Sequence, residues 1–194
     1  MGFEQPFRLR AGVVAEPRNE IYQQPTIQFC STSQHSSLLL EIMFVDGLVK
    51  IGMFGANNGT RRDIVVAPMH LKAVTIRSIN TIDRLTFYYN DEKGNQLMGG
   101  EWGGNLGFDH TFYLDRDEYL KQVSGTFGPF DIQKQPCTVN SLTFISNKGK
   151  RYGPFGTRGA KDTAFDIPVE KGSIVGFYAR ADGFVSAIGF YVRP

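Results

Sequence analysis

Few side chains in this sequence are spaced for catalysis. His35, His70 and His110 are scattered, and no nucleophile–base pairing, metal-type spacing or phosphate loop is present. Cys30 and Cys137 are compatible with one disulfide, but two buried thiols are the preferred reading. The carboxylates between Asp109 and Glu118 read as the solvated face of a hairpin. Asp83 ends the polar stretch Ser78-Ile79-Asn80-Thr81-Ile82-Asp83, where an aspartate commonly caps a turn. Asn58-Gly59-Thr60 spells an N-glycosylation acceptor, expected to stay bare without a secretory route. No catalytic activity, cofactor or metal is expected. The chemistry these residues can do is reversible binding.

The elements that must position them are repeated. Gly52-Met53-Phe54-Gly55 returns as Gly100-Glu101-Trp102-Gly103 and as Gly153-Pro154-Phe155-Gly156, at steps of 48 and 53 residues. Ile82-Asp83-Arg84-Leu85-Thr86-Phe87 returns as Val139-Asn140-Ser141-Leu142-Thr143-Phe144 and as Val185-Ser186-Ala187-Ile188-Gly189-Phe190. Two patterns recurring in phase predict three related units. Trp102 shares its repeat position with Phe54 and Phe155, which makes it a core residue rather than a stacking platform. Val74 and Ile76, then Leu85, Phe87 and Tyr89, alternate with their neighbours as half-buried strands do. Asp91-Glu92-Lys93-Gly94-Asn95 and Asn147-Lys148-Gly149-Lys150 read as hairpin turns, and 128–136, with its two prolines, as a longer loop. Three small antiparallel sheets around a pseudo-threefold axis follow, an all-β fold.

Composition sets the outer bounds. The 194 residues include 22 glycines, 16 phenylalanines and 8 tyrosines, which suits one aromatic-rich domain with many tight turns. A net charge of +2, with no basic strip interleaved with aromatics, gives no reason to expect nucleic acid. Met1-Gly2-Phe3-Glu4-Gln5-Pro6 lacks the basic start and apolar core of a signal peptide, and Pro6 weakens a myristoylation reading. No apolar run approaches a membrane span, so a soluble, cytoplasmic protein is expected. Residues 1–46 belong to neither repeat and are taken as an extension of unknown role. Within them Phe7–Val14 and Ile27–Cys30 are candidate strands, 31–37 a loop, and Leu38–Val45 an apolar stretch suited to burial.

Residues from about 47 to 194 resemble the jacalin-related plant lectins, most of all their mannose-binding, cytoplasmic branch. The likeness rests on Gly153-Pro154-Phe155-Gly156, Phe165, Pro168-Val169, Ile174-Val175-Gly176-Phe177 and Ala187-Ile188-Gly189-Phe190-Tyr191, supported by Tyr119-Leu120-Lys121-Gln122-Val123-Ser124-Gly125. The resemblance implies a β-prism of three four-stranded sheets, with sugar bound at loops clustered at one end. In that family a Gly-Gly loop faces a Gly-x-x-x-Asp loop, whose carboxylate accepts bonds from two sugar hydroxyls. A short carboxylate beside bare backbone suits that task, because hydroxyls are paired donors and acceptors and glycine lets the main chain approach.

The sequence departs from the pattern at the family's principal site. The aspartate loop aligns with Asp182-Gly183-Phe184-Val185-Ser186, where the glycine has become Asp182 and the aspartate Ser186. The facing loop, Ala56-Asn57-Asn58-Gly59, offers Asn58 and Gly59 in place of a full Gly-Gly loop. This site reads as weakened or lost. Asn80, Ile82 and Asp83, by contrast, keep the carboxylate, and would face Gly103, Gly104 and Asn105. Asn140 opposite Gly156-Thr157 is a third, weaker candidate. The implied function is a mannose/glucose-type lectin without cofactor, binding glycans or glycoproteins and gaining avidity as a homo-oligomer. The alternative is a protein-interaction module, glycosidase-aggregating for example, on the same fold. Galactose preference is disfavoured, because that branch depends on a cut that exposes an N-terminal glycine, and no such processing is readable.

Overall fold

The structure is a computed structural model in which residues 42–45 and 47–194 are described. The chain runs through β1 (Ile42–Val45), β2 (Leu48–Gly55), β3 (Arg61–Arg62), β4 (His70–Ser78), β5 (Ile82–Asn90), β6 (Gln96–Gly103) and β7 (Phe108–Tyr113). Then come β8 (Leu120–Phe130), β9 (Gln135–Ser146), β10 (Arg151–Gly156), β11 (Thr163–Pro168), β12 (Ser173–Ala181) and β13 (Val185–Arg193). Among the described residues the only helical element is a 3-10 turn at Asp131–Gln133.

The strands pair in three four-stranded groups of one plan: β6-β5-β4-β7, β10-β9-β8-β11 and β2-β13-β12-β3, with β1 added outside β2. The last two groups touch as a continuous sheet only through the pair Ile174–Leu120. This is a β-prism. Its first sheet is assembled from β2 and β3 together with β12 and β13.

The two repeated patterns are hydrogen-bonding partners. Leu85 lies opposite Trp102, Leu142 opposite Phe155 and Ile188 opposite Phe54, each beside a shift of register. The last glycine of each Gly-x-aromatic-Gly motif explains the pattern. A Cβ added to Gly55, Gly103 or Gly156 would stand 2.2, 1.9 or 2.1 Å from the carbonyl oxygen of Ser186, Asp83 or Asn140 respectively. All three glycines also have positive φ, so both space and conformation exclude a side chain.

The aromatic residues fill the centre. Phe177 meets Phe87 at 5.0 Å, Phe144 at 6.0 Å and Phe190 at 5.9 Å between ring centroids, so rings from all three sheets converge on it. These edge-to-face contacts match the ring quadrupoles. Trp102 is buried and sits edge-on to Phe87, as its repeat position implies.

Three expectations change. Leu38–Val45 reads as suited to burial, but Met43, Phe44 and Val45 are exposed on strand β1, which among the described residues pairs with β2 alone. That strand pairs with β2 from Ile42↔Ile51 to Val45↔Leu48. The loop 128–136 is largely strand: β8 runs to Phe130 and β9 starts at Gln135, with the prolines placed beside a break in register. The acidic stretch is not uniformly solvated, because Glu118 is fully buried. The candidate strands Phe7–Val14 and Ile27–Cys30, the loop 31–37, His35 and Cys30 lie outside the described residues; Cys137 is buried, and His70 and His110 lie on strands.

Glu118 anchors the turn before β8. Burial alone would raise its carboxyl pKa, but bonds from the Lys150 ammonium (2.8 Å), the Tyr152 hydroxyl (2.8 Å), Ser146 and the Asp115 N–H hold it down to about 2 from an ordinary 4.5. A depressed carboxyl stabilises the fold above pH 4.5 and loses that contribution as pH falls toward 2. Glu118→Gln should therefore lower stability by about 2 kcal/mol at pH 7, with the gap from wild type closing as the medium is acidified. Urea denaturation at pH 7 and pH 3 measures this; a gap independent of pH would contradict the assignment.

Candidate functional site

Asp83, Asn140 and Ser186 occupy equivalent places, each after a fully buried apolar residue: Ile82, Val139 and Val185. Their carbonyl oxygens accept from the N–H groups of Gly104 (2.8 Å), Thr157 (2.9 Å) and Ala56 (3.0 Å). Each therefore faces the loop that follows the corresponding glycine motif, at one end of the prism. The loops also touch one another. A Cβ on Gly104 would lie 2.2 Å from the Gly183 oxygen, Thr157 donates to the Asn80 carbonyl at 3.2 Å, and Phe130 packs on Phe184 at 5.8 Å. The result is a continuous rim with three equivalent seats.

The seats differ in what their side chains already bond. Asn140 is saturated: its Oδ1 accepts from Thr138 (2.6 Å) and Thr81 (3.1 Å), while its Nδ2 donates to Asp162 (2.8 Å). The Asp162 carboxylate in turn accepts from Thr126 and from the Gly159 N–H, both at 2.8 Å. That third candidate is an internal knot. At Ser186 the hydroxyl is buried, 3.3 Å from where a Cβ on Gly59 would stand. Asp182 is turned to its own rim and accepts from the Thr60 N–H at 3.3 Å, and Arg180 donates to the Gly59 carbonyl at 3.2 Å. These bonds lash the two loops together.

Asp83 is different. The residue is 3% exposed, yet among the described residues no donor is hydrogen-bonded to its carboxylate. Its Oδ2 lies 2.9 Å from where a Cβ on Gly107 would be, so only glycine leaves the carboxylate room there. Burial pushes the carboxyl up to about 6 from 3.8, against the opposing charge of Arg77, which pairs with Asp109 at 3.1 Å. The arrangement holds an acceptor with unused lone pairs beside bare backbone. It suits a neutral, multiply hydroxylated ligand that brings its own donors.

The structure sets Asp83 against Gly103 and Gly104, whereas the Asn80 carbonyl accepts from the Thr157 N–H of the neighbouring loop. Asn80 and Asn105 are exposed, whereas Ile82 is wholly buried and can offer only backbone. In the other pair Asn58, Asp182 and Gly183 are exposed, Gly59 is partly buried, and the Phe184 ring is buried against Phe130. Two contributors went unread. Gly107 closes the run Gly103-Gly104-Asn105-Leu106-Gly107, and that glycine density was the available signal. Arg84 donates to the Gly104 carbonyl at 2.9 Å, but an arginine alternating on a strand carries no mark of that role. No group of His, Cys, Asp or Glu among the described residues is placed to hold a metal ion, and none of the described helices is long and apolar enough to cross a membrane.

Comparison with known proteins gives a consistent result. Residues 51–191 match the family model described as a jacalin-like lectin domain. Horcolin of Hordeum vulgare is 37% identical over 150 residues, an alignment covering 75% of this chain and 97% of that protein. A mannose/glucose-specific lectin of Parkia platycephala is 32% identical over 161 residues, covering 77% of this chain and 33% of the relative. The solved structure of a mannose-binding jacalin-related lectin from Ananas comosus superposes with a TM-score of 0.72 at 42% identity, covering 77% of this chain and 99% of that one.

The state of Asp83 has a consequence for stability. Its folded pKa is raised, so the ionised carboxylate disfavours the fold: the penalty is absent below pH 3.8 and complete above about 6. Asp83→Asn should thus be more stable than wild type at pH 7, by about 1–2 kcal/mol after screening at the open mouth, and equal to it near pH 3.5. Thermal melts across that range test the point. A variant less stable than wild type at pH 7 would mean the carboxylate has internal partners.

Proposed function

The chain belongs to the jacalin-like lectin family, and from that premise we propose that it binds mannose- or glucose-type glycans at the loop pair holding Asp83. Binding needs no covalent step or cofactor. The supporting observation is the buried, internally unsatisfied Asp83 carboxylate beside Gly103, Gly104 and Gly107. Two sugar hydroxyls donating to it would form charge-assisted bonds of roughly 1.5–3 kcal/mol each. Millimolar binding corresponds to only about −4 kcal/mol, so this pair of bonds decides whether the seat works. The N–H groups and carbonyls of the glycine loop supply the remaining partners.

The Ser186 seat contributes little on this reading. A neutral hydroxyl replaces the charge, and Asp182 accepts from the Thr60 N–H. One strong seat per chain favours presentation of several copies together, where avidity multiplies a weak affinity.

Asp83→Asn should remove most binding of methyl α-mannoside in calorimetry, while Ser186→Ala changes it less than twofold. Joining Asp182→Gly to Ser186→Asp should add a second binding event. Acid should act in the same direction as Asp83→Asn: affinity falls as pH drops below about 6, by up to tenfold per unit, because the protonated carboxyl no longer accepts two bonds. Full binding at pH 4.5, or loss in Ser186→Ala with Asp83→Asn unaffected, would assign the function to the other seat. An empty result on a multivalent glycan array would favour the protein-interaction reading.

A further inference from the structure

The loop after β2 carries a reactive pair that sugar binding leaves unused. Asn58-Gly59 is the one asparagine–glycine dipeptide in the sequence. Asn58 is exposed and Gly59 partly so. Among the described residues neither the Asn58 side chain nor the Gly59 N–H is hydrogen-bonded. Asparagines elsewhere are tied down or differently followed. Asn95 donates to Asp91 at 2.9 Å, Asn147 accepts from the Tyr119 N–H at 2.9 Å, and Asn140 is saturated. Asn80 and Asn105 are exposed, but Thr81 and Leu106 follow them.

We propose that Asn58 is a self-modification site, converted without an enzyme to aspartate and isoaspartate. The Gly59 backbone nitrogen, once its proton has passed to hydroxide, attacks the Asn58 Cγ. The N–Cγ bond forms, the Cγ–Nδ2 bond breaks, and ammonia leaves with a proton taken from water. Water then opens the five-membered imide: cleavage at Cγ gives aspartate, and cleavage at the Asn58 main-chain carbonyl carbon gives isoaspartate. Glycine suits the step because no Cβ crowds the attacking nitrogen. Arg180 donates to the Gly59 carbonyl at 3.2 Å, which sets a positive charge on the residue whose nitrogen must become anionic. Arg61 lies opposite Arg180 in the β3–β12 pairing, and the new carboxylate arises beside both.

The products change the rim. Each event places a carboxylate on the loop that faces Ser186, the seat without its own aspartate, and lowers the net charge of +2 by one. Isoaspartate also adds a methylene to the main chain just ahead of Gly59. That glycine is already closely seated: a Cβ on it would stand 3.2 Å from the Ala181 nitrogen and 3.3 Å from the Ser186 Oγ. The longer chain therefore loosens the bonds from Thr60 to Asp182 and from Arg180 to Gly59. The Asp83 seat, built from other loops, is untouched.

The test incubates the folded full chain at pH 6 and pH 8. Peptide mass spectrometry reads the amide-to-acid mass gain at each asparagine, and labelling by an isoaspartyl methyltransferase reads the isomer. Asn58 should convert more than about tenfold faster than Asn80 or Asn105, a difference of about 1.4 kcal/mol in the barrier. Conversion should be faster at pH 8 than at pH 6, because the attacking nitrogen must lose its proton. Asn58→Gln should abolish the product at this position, since the longer side chain would have to close a six-membered ring. Conversion of Asn58 no faster than that of Asn80 or Asn105, or conversion seen only after the chain is unfolded in urea, would overturn the proposal.

Discussion

The contact between a glycine and a carbonyl oxygen, made three times, governs this molecule. Gly55, Gly103 and Gly156 let the motif strand press against the main chain at Ser186, Asp83 and Asn140, closer than any Cβ would permit. The next N–H in each case closes a hydrogen bond to the same oxygen. Backbone position at the three seats is thus set by strand pairing rather than by loop conformation. Side chains at those positions are free to vary without moving the seat, which is how one scaffold carries an aspartate, an asparagine and a serine in equivalent places.

What each seat does follows from its hydrogen-bond inventory. Asn140 has every polar atom engaged, and it ties β9 to the loop holding Asp162. Asp83 carries the opposite balance, a charge withdrawn from water without an internal donor. Such a group weakens the fold at neutral pH and is retained where a ligand supplies the missing donors. The contrast with Glu118 is instructive, since that carboxylate is as deeply buried yet fully answered by Lys150 and Tyr152. Burial alone separates neither role; the donor count does.

The three-sheet plan was readable because both repeated patterns fall on the same pair of strands, so one pairing was written three times. The alternation around Val74 and Leu85 likewise placed β4 and β5 correctly. Elements defined by distant partners were not readable. Glu118 sits in an acidic run, and its side-chain partners Lys150 and Tyr152 are more than thirty positions away. The 128–136 stretch reads as a loop because of Pro129 and Pro136, and only the register break between β8 and β9 shows how strands accommodate them. Within the candidate site, the facing of Asp83 by Gly103 and Gly104 could be inferred from the repeat. The saturation of Asn140 could not, since Thr81, Thr138 and Asp162 converge on it from separate segments.

The first sheet joins β2 and β3 to β12 and β13, so its strands are separated by most of the domain. Such pairings are slow to form, because the intervening chain must be ordered before they are rewarded. During synthesis β2 emerges early and has no partner strand on its β13 side until residues 185–193 follow. For that interval it presents an open hydrogen-bonding edge, flanked by the exposed Phe44 of β1. The same cyclic arrangement that gives the prism its symmetry therefore makes the newly made chain vulnerable to pairing with its neighbours.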